Sequence, residues 1–148
     1  MKIKSSLAVL SLLCLLVFTG CKKDNVAEAV ILQSVEYQIY DVSGSGVTGT
    51  ATFTQEDNGS THVLIELDGA STATNPAYIR FNSAAEGGDI AITLAVCECS
   101  ISNTTITQLN NGNSLTYEGL LALNGHITIH DTNNNIVAVA DIGANANS

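Results

Sequence analysis

Tryptophan is absent from this 148-residue chain, proline occurs once, and only five lysines and arginines stand against fourteen acids. Each shortage excludes something. The lone proline, Pro76, rules out polyproline and collagen-like segments. The bases fall at Lys2, Lys4, Lys22, Lys23 and Arg80, so the chain beyond residue 20 carries three bases against fourteen acids, a formal charge of −11. Such a surface repels a phosphate backbone, and no basic stripe with interleaved aromatics overcomes the repulsion, which excludes nucleic acid as a partner. The amphipathic helices that a helical or α/β fold needs are missing as well. The longest apolar run, Leu7 to Phe18 broken by Ser11, is too short to span a bilayer.

What the chain does have is alternation. Val47, Gly49, Ala51 and Phe53 interleave with Thr48, Thr50, Thr52 and Thr54, the period of a strand with one apolar face. Asp57-Asn58-Gly59-Ser60 supplies a turn whose Asn-Gly tolerates positive φ, and Val63, Ile65 and Leu67 resume the alternation, which predicts a hairpin over 47–67. Before it, Val35, Tyr37 and Ile39 share one face of a strand within 30–42 and Glu36, Gln38 and Tyr40 the other. The stretch 68–76 has no period and holds the proline, so it reads as a loop crossing between sheets. Further strands are expected at 77–81, 89–95 and 100–109, and a last hairpin at 126–130 and 136–142 around Asp131 to Asn135. Thr116 can cap one helical turn that turns Leu120 and Leu121 inward. Eight or nine short strands at this spacing predict an all-β fold, a two-layer antiparallel sandwich with Greek-key crossings and one short helical turn.

The N-terminus has the layout of a secretory signal: Lys2 and Lys4, the apolar run, then Phe18-Thr19-Gly20-Cys21. This segment resembles a bacterial lipoprotein signal, in which a cysteine behind small residues is diacylated on sulfur and becomes the new N-terminus. The resemblance implies a signal over 1–20, lipidation of Cys21, a lipidated tether over 21–30 and one folded domain over 31–148. Lys22-Lys23-Asp24-Asn25 is similar to the charged tag of surface-displayed lipoproteins, but carries a single acid at the expected place. Both sides of the outer membrane therefore stay open.

The folded part resembles the CHRD, or chordin-type, domain of bacterial envelope proteins over about residues 34 to 145. The residues that carry the likeness are Val47 to Thr54, Asn75 to Arg80, Ala84 to Ala91, Gly125 to His130 and Ala140 to Gly143. The resemblance implies a superoxide-dismutase-like or immunoglobulin-like sandwich, and a metal site built on a His-x-His pair with a further His near the last hairpin. This chain has Tyr78 and Arg80 where the family has the pair, and His130 at the third position. Arginine stays cationic and neutral tyrosine is a poor ligand. His126 cannot substitute, because i and i+4 on a strand lie about 13 Å apart. The expectation is therefore no metal and no other cofactor, with Tyr78, Arg80 and His130 as the positions of a degenerate site, and Arg80 paired with Asp131 or Asp141. The reading is a membrane-anchored, non-enzymatic interaction or structural module whose partner is a protein or a glycan. The alternative is a small copper- or zinc-binding protein with His130 as a ligand, joined by His126 or by Cys97 and Cys99.

Two further patterns have blander explanations. Cys97-Glu98-Cys99 in an exported protein leaves a strained disulfide and two accessible thiols both open, since a bond across Cys-x-Cys needs a turn or bulge. Asp131-x-Asn133-x-Asn135 imitates the start of a calcium loop, yet Ile136 and Ile142 replace its Gly and bidentate Glu, so it reads as a hairpin turn.

The lipid expectation is tested on Cys21. Several acyl chains, at about 0.8 kcal/mol per buried CH₂, hold a protein to a bilayer permanently. The native protein is expected in the detergent phase with a mass carrying fatty acids, and Cys21→Ser in the aqueous phase without them.

Overall fold

The computed structural model describes residues 32–70 and 74–146. The signal, the lipidation site Cys21, the tether over 21–30 and the ends of the 31–148 domain lie outside the described residues, as do positions 71–73 of the crossing loop.

Eight strands form in chain order with one helical turn among them: β1 (Ser34–Asp41), β2 (Thr48–Gln55), β3 (Thr61–Asp68), β4 (Ala77–Phe81), β5 (Ile90–Thr93), β6 (Ile101–Ile106), α1 (Tyr117–Leu121), β7 (Asn124–His130) and β8 (Ile136–Gly143). They join as one antiparallel sheet in the order β5-β4-β7-β8-β1-β2-β3-β6. The sheet curls into two layers, β1-β2-β3-β6 over β5-β4-β7-β8, and the chain crosses between them after β3, after β5 and after β6. This is the expected Greek-key sandwich, and its inward faces carry the expected residues. Ile39, Ala51, Phe53 and Ile65 of the first layer meet Ile79, Ile127, Ile129, Ala138 and Ile142 of the second, all of them sealed from solvent. Tyr37 and Phe53 touch edge to face at 5.1 Å, and burial pushes the Tyr37 hydroxyl above its ordinary pKa.

The hairpin of β2 and β3 keeps a straight register from Thr48↔Asp68 to Gln55↔Thr61. Its turn differs from the expected Asn-Gly centre. Gly59 alone takes positive φ, its N–H bonding Glu56 O while Glu56 N–H bonds Ser60 O, so the loop is the three-residue kind that ends in a glycine bulge. Gly49 is required for another reason: a Cβ there would stand 2.1 Å from the Glu66 carbonyl oxygen of the next strand.

Helix α1 forms where the cap residue put it. Thr116 Oγ1 accepts from Gly119 N–H at 3.1 Å, and Tyr117 and Leu120 plug one end of the sandwich. Leu121 was expected inside and is only half-buried, because a single turn of helix cannot direct consecutive side chains to one side.

The terminal strands β5 and β6 share no strand register among the described residues. Side chains and one main-chain bond, Asn110 N–H to Ala91 O at 2.8 Å, close this seam instead: Ser102 Oγ donates to Ala95 O at 2.6 Å, and Thr104 Oγ1 accepts from Ala95 N–H at 2.9 Å. Asn110 adds a second clasp, accepting from Thr93 N–H at 3.1 Å and donating to Thr93 Oγ1 at 3.0 Å.

Phe53 is the largest apolar side chain at the centre of this packing. Phe53→Ala is expected to cost about 3–5 kcal/mol, read as a fall in the urea midpoint at unchanged slope. A loss under about 1 kcal/mol would mean the two layers are not packed through it.

Candidate functional site

The three positions singled out in the sequence do come together. Register places Tyr78 opposite Thr128 and Arg80 opposite His126 on the neighbouring strand β7. With His130 they occupy the face of β4 and β7 that looks away from the core, since Ala77, Ile79, Ile127 and Ile129 take the inward positions. An outward face is ordinarily wet, yet His126, Thr128 and His130 are buried. The loop after β4 covers His126, which hydrogen-bonds Asn82 O through Nδ1 at 2.8 Å. The β7–β8 turn covers His130, whose Nδ1 lies 3.1 Å from Asn134 O.

Thr128 is the hub. Its Oγ1 accepts from Arg80 Nε–H at 3.3 Å and lies 3.2 Å from His130 Nε2. Because the Asn134 carbonyl only accepts, Nδ1 of His130 carries its proton, and Nε2 takes the hydroxyl hydrogen of Thr128. Tyr78 completes the cluster, meeting the His130 ring edge to face at 5.2 Å with the Arg80 guanidinium 5.8 Å above its own ring. Sequence reasoning missed Thr128; its position directly opposite Tyr78 on a paired strand was the available signal.

Arg80 does not pair with either expected carboxylate. Its guanidinium donates to Gly88 O at 3.0 Å besides Thr128. Asp141 accepts from Ala84 N–H at 2.7 Å. Asp131 is taken up by its own turn, accepting from Asn133 and Asn135 N–H and from the Asn135 amide. Those bonds, from Asn135 first, hold the Asp131 carboxyl below its ordinary pKa, and they account for the calcium-like spacing as a hairpin turn.

This donor set does not fit a metal ion. Both ring nitrogens of His130 are committed, a cationic guanidinium reaches Thr128 from β4, and His126 belongs to a separate bond. Among the described residues no three His, Cys, Asp or Glu side chains converge on one point.

Cys97 and Cys99 are free thiols in opposite surroundings, Cys97 buried and Cys99 exposed, so the disulfide alternative is not realised. Glu98 and Ile101 exchange both backbone hydrogen bonds around Cys99 at φ 49° and Ser100 at φ 72°. Two central residues at positive φ make the turn that reverses a chain most tightly. It carries Cys99 outward while Cys97, bridged to Asn75 by two backbone bonds, stays inside. Burial pushes the Cys97 thiol up to about 11.

A separate cleft of about 540 Å³ opens between β1 and β8, with Glu36, Gln38 and Tyr40 on one wall, Val139 and Asp141 on the other, and Leu121 at its end.

Alkylation separates the two cysteines. At mildly alkaline pH the folded protein is expected to take up one label on Cys99, and a second on Cys97 only after unfolding. Rapid double labelling of the folded chain would contradict the buried placement of Cys97.

No family model matches the chain, and no curated protein matches it. Among solved structures it is similar to the copper(II) form of superoxide dismutase 5 from Candida albicans, at 16% identity and a TM-score of 0.47, over 73% of this chain and 89% of that one.

Proposed function

We propose that this protein is a lipid-anchored envelope protein whose sandwich serves as a non-enzymatic interaction module, held at the outer membrane through Cys21 and engaging a protein or glycan partner. The observation that carries the reading is the fate of the face where the resembling family would hold a metal. Tyr78, Arg80, Thr128 and His130 satisfy one another there and leave His130 no free nitrogen. A cluster of this kind fixes a surface, and its imidazole keeps no lone pair for a metal ion. The lipoprotein half of the proposal rests on the signal-like segment ending at Cys21.

Metal analysis tests it. Protein purified without chelator is expected to carry copper and zinc far below one equivalent, and His130→Ala is expected to leave that content unchanged while lowering stability. Stoichiometric copper or zinc that His130→Ala abolishes would replace the module with a metalloprotein.

A further inference from the structure

β1 and β8 close the sheet only over a short span. They pair at Tyr40↔Val139 and Asp41↔Ala138, with Val42 N–H on Val137 O at 3.1 Å beyond. From there the two strands part, β1 running back to Ser34 and β8 onward to Gly143, and the cleft occupies the gap. Alternation fixes which groups face it. Val42 and Tyr40 direct their N–H and C=O toward β8, so Gln38 and Glu36 do the same. From the other side it is Asp141 and Gly143. Gly143 N–H finds the Tyr37 hydroxyl at 3.3 Å. Among the described residues, the register gives the main chains of Glu36, Gln38 and Asp141 no strand partner across the gap.

We infer that this cleft accepts an extended peptide of a partner protein, added as a strand between β1 and β8, with basic side chains along its outward face. The proposal deepens the interaction-module reading and rests on it. Two facing rows of N–H and C=O groups match the repeating pattern of a main chain, which is how sheet edges capture peptides. The floor, formed by Val35 and Tyr37 with Leu121 at the end, receives alternate apolar side chains. The choice of basic residues follows from charge. Glu36 and Asp141 flank the mouth, and Arg80, the only base among the described residues, is spent on Gly88 and Thr128 of the β4–β7 face. A cleft lined by one sign of charge concentrates the opposite sign and repels its own.

The test uses the full lipidated chain in zwitterionic detergent with two fluorescein-labelled peptides of about six residues, the usual strand length, one alternating Val with Lys and the other Val with Glu. The Lys peptide is expected to bind saturably and more weakly as salt rises, the Glu peptide not to bind, and amide exchange at Glu36, Gln38 and Asp141 to slow at least about tenfold on binding. Glu36→Lys is expected to weaken the Lys peptide at least about fivefold. Gln38→Pro removes an N–H on the open side while sparing the bonds to β2, and is expected to abolish binding; if it does not fold, the exchange rates of the native chain decide. Equal binding of both peptides, no binding, or binding without slowed exchange at these amides overturns the inference. So does protection of the amides before peptide is added, whether removed by deleting residues 22–31, which makes the chain's own segment the occupant, or dependent on protein concentration, which makes it a second copy. Failure here with metal content still negligible removes the peptide site alone, whereas stoichiometric metal removes the module reading itself.

Discussion

A sheet that curls back on itself must dispose of two edges, and in this protein the edges belong to β5 and β6. Among the described residues they share no main-chain ladder. Ser102, Thr104 and Asn110 do the joining with hydroxyl and amide groups directed at the backbone of Ala95 and Thr93. Without that closure the inward aliphatic faces would still be apolar, but the sheet would present open strands at which further chains could add. The core therefore depends on a few polar side chains at its seam. Ser102 and Thr104 take inward positions of β6, opposite Ile65 and Val63 of β3, so the seam replaces apolar side chains of the core face there.

Closure elsewhere is uneven, and the unevenness is informative. Between β4 and β7 the register is continuous and the outward face is filled by Tyr78, Arg80, Thr128 and His130, with both ring nitrogens of His130 engaged. Between β8 and β1 the ladder stops after two pairs and leaves main-chain groups exposed in a cleft. The first place is chemically saturated and the second is not. Unsatisfied main-chain groups at an accessible surface can still take a hydrogen-bonding partner, whereas engaged ring nitrogens cannot take a metal ion.

Much of the fold was legible in the sequence because strand pairing here follows local signals. Period-2 patterns marked β1 to β4, Thr116 marked the one helical turn, and the crossing at 68–76 announced itself by Pro76 and a lost period. The candidate site was legible only in part. Tyr78, Arg80 and His130 do meet, but the partner of Arg80 was assigned by charge, toward Asp131 or Asp141, when geometry gives it a carbonyl and a hydroxyl. Coulomb attraction is a poor guide when the carboxylates already accept backbone N–H groups, Asp131 from its own turn and Asp141 from Ala84. The cysteine pair misled for a different reason: two positive-φ residues outside glycine, Cys99 and Ser100, carry no composition signature, so the turn that separates the thiols was invisible. The cleft was invisible too, because a sequence pattern says which face a residue takes and nothing about where two paired strands diverge.

The acidity of the chain resolves along the same lines. Several carboxylates are turn devices: Asp41 accepts from Ser43, Ser45 and Gly46 N–H, Glu86 from Ser83, Asp131 from Asn133 and Asn135. In each the bonds to the charged form hold the carboxyl below its ordinary pKa, led by Gly46 for Asp41, by the Ser83 hydroxyl for Glu86 and by the Asn135 side chain for Asp131. Folded-state pKa values below the unfolded ones mean that these turns contribute fully above the ordinary carboxylate range and lose that contribution as pH falls below it, through the lowered folded values. Their charge is thus a by-product of local structure, and it calls for no bound cation. Glu36 is different: it lies on a strand, holds no turn, and stands at the mouth of a cleft whose main-chain groups lack partners. Glu36 thus keeps its charge free of any turn at the place where the ladder between β1 and β8 stops.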